Sequence, residues 1–176
     1  MSLSRAEPRD GPEYSRPVDL RQVHDKPVAI EASEEERAAL ARRFALVRID
    51  RLEAEVRLEA DGEAVNATGR LRAAIVQSCA ISGEDLPVAI DEPLALRFVP
   101  EQPVAEEEIE LDESALDEIP FSGTAFDLGE AVAQSLALAI DPYAVGPNAE
   151  RVRKEAGLLD EAAAGPFAAL AALKKD

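Results

Sequence analysis

The feature that most constrains this chain is an alternation. In Leu52, Ala54, Val56 and Leu58 every second residue is apolar, with Glu53, Glu55, Arg57 and Glu59 between them. Asp61-Gly62 follows, a pair suited to a type I′ hairpin turn. Val65, Ala67, Gly69, Leu71, Ala73 and Ile75 then continue on the other parity. A two-residue loop pairs Ala60 with Glu63, Leu58 with Val65, Val56 with Ala67, Ala54 with Gly69 and Leu52 with Leu71. That register puts both apolar sets on one face of a hairpin. On the wet face Glu53 then lies across from Arg70. Val47 and Ile49 run in the opposite phase, so a β-bulge or bend near Asp50-Arg51 is required to restore a common face. Arg51 would otherwise face Arg72, which also ends regular pairing there.

Ser82-Gly83-Glu84-Asp85 supplies a second turn. Val88, Ile90, Leu94, Leu96 and Phe98 share one parity in the segment that follows. Pro87 and Pro93 lack amide donors, which predicts an edge strand or two short strands there. Short apolar pairs between Val18 and Ile30 allow one further edge strand.

Helix signals flank this sheet. Ser33-Glu34-Glu35-Glu36 reads as a capping box, and Arg42 and Arg43 close the segment in the order the helix dipole favours. A helix from Glu34 to about Phe44 is expected. Asp127 is an N-cap with Glu130 three residues on. Leu128, Val132, Leu136 and Ile140 form an apolar stripe with alanines around it, and Asp141-Pro142 stops it. This helix is the candidate cover for the sheet. The fold class expected is α+β: an antiparallel β-meander with one face covered by an α-helix, plus an N-terminal helix and a short C-terminal helix.

The organisation expected is a flexible arm over 1–17, one α+β domain over 18–147 and a tail over 148–176. In the tail, Phe167, Leu170 and Leu173 fall on one side of a short helix. It is read either as a docked turn or as a recognition helix for a partner; its shortness favours the docked turn.

Charge separates the function classes. The chain carries 36 acidic against 19 basic residues over 176 positions, a net charge of −17. Nine of the acids lie within 101–118, where no base occurs. Most of such a surface repels phosphates, so a basic protein is the easier partner. No run reaches the ~18 apolar residues a membrane span needs, and Met1–Asp10 has no apolar signal-peptide core. A single cysteine, Cys79, excludes an internal disulfide. These features point to a cytoplasmic protein with no membrane partner and no small-molecule substrate.

Nothing in the sequence asks for a catalytic site, a metal or a cofactor. Cys79 and His24 are the only residues of their kinds, too few for a four-ligand zinc site. Cys79 reads as packing and His24, beside Asp25, as a solvated residue. Phosphate-cradling Gly-rich loops are missing. Phe121-Ser122-Gly123-Thr124 does not have the nucleophile-elbow pattern. Buried-carboxylate catalysis cannot be picked out among 36 acids, and the solvated reading of them prevails.

Several segments, taken in order, resemble the YceD family, which is associated with accumulation of large-subunit ribosomal RNA. They are Glu13-Tyr-Ser-Arg-Pro-Val18, Ala32-Ser-Glu-Glu-Glu-Arg-Ala-Ala-Leu-Ala41 and Gln77-Ser-Cys-Ala-Ile-Ser-Gly-Glu84. Phe126-Asp-Leu-Gly-Glu-Ala-Val-Ala-Gln-Ser-Leu-Ala-Leu-Ala-Ile-Asp-Pro-Tyr143 and Pro166-Phe-Ala-Ala-Leu170 complete the set. The style is that of the alphaproteobacterial branch. The resemblance implies a bacterial, non-enzymatic ribosome-biogenesis factor whose partner is a ribosomal protein, an assembly intermediate or precursor RNA. Many members of that family carry Cys-x-x-Cys in the central turn and a second pair after the covering helix. Here Ser82 stands at the second position, and Asp141-Pro-Tyr-Ala-Val-Gly-Pro147 has no cysteine. A zinc site built on such pairs is therefore impossible in this chain.

Two binding surfaces follow. The first is acidic, for a basic partner: Glu106, Glu107, Glu108, Glu110, Asp112 and Glu113 of the acid-rich segment, with Asp127, Glu130, Asp141 and Tyr143. The alternative is direct RNA binding by Arg51, Arg57, Arg70 and Arg72 on the wet face of the hairpin. Glu53, Glu55 and Glu59 interrupt those arginines, which favours a mixed-charge solvated face over an RNA site.

Overall fold

A computed structural model describes residues 12–24, 26–101 and 117–157. Their elements are β1 (Pro17–Asp19), a 3-10 turn (Leu20–Gln22), β2 (Val28–Glu31), α1 (Glu34–Arg43), β3 (Arg48–Asp61), β4 (Ala64–Ser78) and β5 (Asp85–Pro100). Then come β6 (Asp117–Phe121), β7 (Ala125–Asp127), α2 (Leu128–Ala139) and α3 (Ala149–Glu155). The protein is α+β. Five strands form a sheet in the order β2-β3-β4-β5-β6, and β1 pairs with β7 in a separate two-stranded sheet.

The central hairpin forms with its apolar sets on one face, but two residues away from the expected register. Asp61 pairs with Ala64, Ala60 with Val65, Leu58 with Ala67, Val56 with Gly69, Ala54 with Leu71 and Leu52 with Ala73. Gly62 alone takes a positive φ in this turn, at 64°. That suits a II′ turn centred on Gly62-Glu63, whereas a I′ turn on Asp61-Gly62 needs positive φ at both positions. Side chains repeat every two residues along a strand, so a shift of two leaves the buried face unchanged and is invisible to the pattern. Glu53 consequently faces Arg72, and Glu55 faces Arg70. The register breaks between Ile49 and Arg51. This bulge at Asp50 lets Ile49 and Leu52, of opposite parity, both be buried.

The edge-strand expectation for residues 85–100 needs correction. β5 is one strand of 16 residues, antiparallel to β4 from Asp85 to Phe98 and parallel to β6 from Leu96 to Pro100. The sheet is therefore mixed and not a pure meander. Pro87 and Pro93 lie where β5 has no second neighbour. The β4 ladder runs through both, so their missing N–H groups fall on the open edge, where no ladder bond is lost.

Both long helices start as their sequences dictate. Ser33 Oγ accepts from the Glu36 amide, while Glu36 Oε2 accepts from the Ser33 amide at 2.8 Å. Asp127 Oδ1 accepts from the Glu130 amide at 3.1 Å. Leu128, Ala131, Val132, Ala133 and Leu136 of α2 share one buried cluster with the inward residues of β3, β4 and β5. Phe98 and Phe126 stack there with centroids 4.1 Å apart.

Residues 13–17, expected at the end of a loose arm, are part of this body. Tyr14 is completely buried, and Pro17 opens β1. Residues 1–11 and the segment of Phe167, Leu170 and Leu173 lie outside the described residues.

Candidate partner-binding surface

The acid-rich candidates Glu106, Glu107, Glu108, Glu110, Asp112 and Glu113 lie outside the described residues. The remaining acidic candidates divide into two groups, at opposite ends of α2.

Asp127 and Glu130, at its start, are engaged within the chain. Asp127 accepts from Ser15 Oγ at 2.6 Å, from the Arg16 amide at 2.8 Å and from its own helix. Glu130 forks onto the Arg43 guanidinium at 2.7 and 2.9 Å, which holds its carboxyl below the usual range. Arg43 also reaches Glu13 at 2.9 Å. Next to this, Arg16 forks onto Glu36 at 2.7 and 2.9 Å and lies over the Tyr14 ring. The Arg16 guanidinium pulls the Glu36 carboxyl down to about 2. Burial pushes the Tyr14 hydroxyl up to about 12. Gly129 permits the close fit: a Cβ there would stand 2.6 Å from the Tyr14 carbonyl oxygen and 2.8 Å from the Arg16 amide. Residues 13–16 thus clasp α1 to the start of α2.

Asp141 and Tyr143, past the other end of α2, form a different environment. Asp141 Oδ1 accepts from the Tyr143 amide at 2.8 Å, and its carbonyl accepts from Gln77 Nε2 at 2.7 Å. The Ala80 amide donates to the Ala144 carbonyl at 3.0 Å. The Gly146 amide donates to Cys79 Sγ at 3.2 Å and the Ser82 amide at 3.4 Å. These donors, Gly146 foremost, lower the Cys79 pKa to about 6, although the residue is buried. Asn148 Nδ2 bonds the Glu84 carboxylate at 2.9 Å. Hydrogen bonds therefore tie the 79–84 turn to the 141–148 loop. The backbone is held, yet the Tyr143 side chain is 80% exposed.

An open groove of about 480 Å³ runs between the end of α2 and β5, lined by Glu92, Pro93, Leu94, Leu96, Ser135 and Leu138. Leu138 is 82% exposed. Glu92 pairs with Leu71 and so sits on the core-facing parity of β5, between Ile90 and Leu94, yet it is exposed. The last turn of α2 has no basic residue. Both groove residues have a signal in the sequence. Leu138 falls off the Leu128–Ile140 stripe, and Glu92 interrupts the apolar parity of its strand.

The four candidate arginines lie on the outer face of the sheet among carboxylates. Arg70 and Arg72 converge on Asp91, and Arg51 bonds Glu53. Arg57 is not free either. Among the described residues no group of three or more His, Cys, Asp or Glu could hold a metal ion. No helix among them is long and apolar enough to cross a membrane.

Neither the curated proteins nor the solved structures offer a match to the chain. A family model does, that of the large ribosomal RNA subunit accumulation protein YceD, over residues 67–174. The match takes in β4 from Ala67 onward, β5, the acid-rich segment, β6, β7, α2, the pinned loop and α3. It spans more than half of the chain, which belongs to the YceD family.

Proposed function

We propose that this protein is a non-enzymatic, cytoplasmic ribosome-biogenesis factor that supports accumulation of large-subunit ribosomal RNA by binding a basic ribosomal protein or an assembly intermediate. The family match carries the ribosomal part of this reading. The charge distribution supports the choice of partner. The net charge is −17, and Arg51, Arg70 and Arg72 already face carboxylates of their own sheet. A basic protein gains from such a field, whereas an RNA backbone is repelled by it. Direct RNA binding by the outer arginines is thereby the weaker alternative.

Asp127 and Glu130 are engaged in the clasp around residues 13–16. The capture surface is then the acid-rich segment, from Glu106 to Glu113, together with Asp141 and Tyr143. The test is depletion of the protein from its host, with large-subunit ribosomal RNA measured by probe hybridisation. A selective fall in that RNA, restored by the wild-type chain, is expected. Unchanged ratios of large- to small-subunit RNA contradict the reading.

A further inference from the structure

Val47 is exposed where the fold gives it nothing to cover. Among the described residues it is the one large exposed apolar side chain away from the 138–145 stretch, at 44%. It lines an open groove of about 480 Å³ between α1 and the start of β3, whose accessible apolar surface is Ala38, Leu46 and Val47.

This groove has an electrical direction. Its two walls run antiparallel: the Ala32 amide donates to the Leu52 carbonyl at 3.0 Å just before α1, and the Leu46 amide donates to the Ala41 carbonyl at 2.9 Å near its end. Glu34 and Asp50 therefore line one end, while Arg42 lies with Leu46 and Val47 at the other. Arg48 pairs with Asp50 at 2.9 Å and reaches Asp85 at 4.0 Å. Among the described residues, the side chains of Glu34 and Arg42 have no hydrogen bond or ion pair.

The residues after Gly157 match that direction. Asp160-Glu161 come first, then Phe167, Leu170 and Leu173 at helical spacing, then Lys174-Lys175. The chain also approaches from the matching end. Asn148, just before α3, bonds Glu84 at 2.9 Å, and the neighbouring Asp85 is the residue that Arg48 reaches. From Gly157 to Phe167 the chain can span up to about 33 Å. The groove needs less, since α1 covers about 12 Å from Glu34 to Arg42.

We infer that residues 158–175 of this chain fold back into the groove between α1 and β3. Phe167, Leu170 and Leu173 then lie on Ala38, Leu46 and Val47. Asp160 and Glu161 face Arg42, and Lys174 and Lys175 face Glu34. Apolar burial supplies the affinity and the charges set the direction, because the reverse orientation would bring acids to Glu34 and lysines to Arg42. The chain's own tail has the advantage over a separate partner, since linkage raises its effective concentration to about millimolar. This inference does not depend on the ribosomal reading.

The test is photo-crosslinking in the full-length chain with p-benzoylphenylalanine at position 47, irradiated at low concentration. Peptides from the monomer band are sequenced by mass spectrometry. Crosslinks should fall within 158–175, and Phe167→Ser with Leu170→Ser should cut their yield about fivefold or more. Arg42→Glu should cut it about two- to fivefold, and adding Asp160→Arg with Glu161→Arg should restore it. As a check without a bulky probe, the amide resonances of Ala38, Leu46 and Val47 should differ between wild type and the Phe167→Ser, Leu170→Ser variant, while that of Thr68 on the outer sheet face should not. Monomer crosslinks that miss the tail, crosslinks found only in a dimer band, or identical resonances at the three groove positions overturn the inference. A yield unchanged by Arg42→Glu overturns the direction assigned to the tail.

Discussion

Replacing Gly129 with alanine separates two effects of opposite sign. Gly129 occupies the first turn of α2. In an open helix the change would stabilise by up to about 1 kcal/mol, because glycine gives up more backbone entropy. Here the added methyl would stand 2.6 Å from the Tyr14 carbonyl oxygen, 2.8 Å from the Arg16 amide and 3.0 Å from the Ser15 carbonyl carbon. All three are backbone atoms, so residues 14–16 must retreat by a substantial fraction of an ångström. That movement strains the bonds from Ser15 Oγ and the Arg16 amide to Asp127, and the bond from the Leu128 amide to the Arg16 carbonyl. Hydrogen bonds to a charged group contribute about 1.5–3 kcal/mol each. Partial loss of two of them outweighs the entropic gain, leaving a net destabilisation of about 1–3 kcal/mol. The assay is urea unfolding followed by circular dichroism, with a parallel thermal melt. A fall of about 2–10 °C in Tm is expected for a chain of this size. Ser15→Ala should also cost less in the Gly129→Ala background than in wild type, since its bond is already weakened. A Gly129→Ala variant as stable as wild type would refute the clasp.

Glu36→Gln should destabilise by about 1–3 kcal/mol near neutral pH, since it breaks a charge-assisted fork to Arg16. The Glu36 pKa is lowered from 4.5 to about 2 in the folded protein. Its contribution is therefore fully present above pH 4.5 and is lost as pH falls towards 2. The difference between variant and wild type should shrink across that window, and a difference independent of pH would contradict the pairing. Gly69→Ala should be strongly destabilising by chemical denaturation, because its Cβ would fall on the Glu55 carbonyl oxygen of β3; a loss below about 1 kcal/mol would contradict the close approach of β3 and β4. Pro93→Val returns a donor to the open edge of β5 and should raise self-association in sedimentation velocity. An unchanged monomer fraction would show that the edge is protected by other means.

Much of the fold is legible in the sequence because burial imposes period. The parity of Leu52–Leu58 and Val65–Ile75 places the inner face, and the phase change at Ile49 locates the bulge. Caps at Ser33 and Asp127 fix where two helices begin. The two-residue slip of the hairpin is not legible, since both registers bury the same side chains and differ only in which residue pair turns. The parallel pairing of β6 with β5 is not legible either, because short strands such as Asp117–Phe121 carry too few alternations. At the candidate site the sequence shows residue type but not engagement. Asp127 and Asp141 are both acids beside α2. Only the structure distinguishes the one that accepts from Ser15 and Arg16 from the one that pins an exposed tyrosine. Tyr14 and Arg16, in a proline-rich start, carry no periodic signal that would announce a buried clasp.

On the function proposed above, an acidic surface captures a basic component of the assembling large subunit. Gradient sedimentation of host lysate tests it most directly, using tagged wild-type chain and a variant with Glu106, Glu107, Glu108, Glu110 and Glu113 changed to Gln and Asp112 to Asn. At low salt the wild type should travel with large-subunit precursors, and at about 1 M salt, where screening shortens to about 3 Å, it should return to the top of the gradient. The neutralised variant should stay near the top at both salts. A wild-type chain that never leaves the top fractions, or a neutralised variant that sediments with precursors as fully as wild type, would contradict the account.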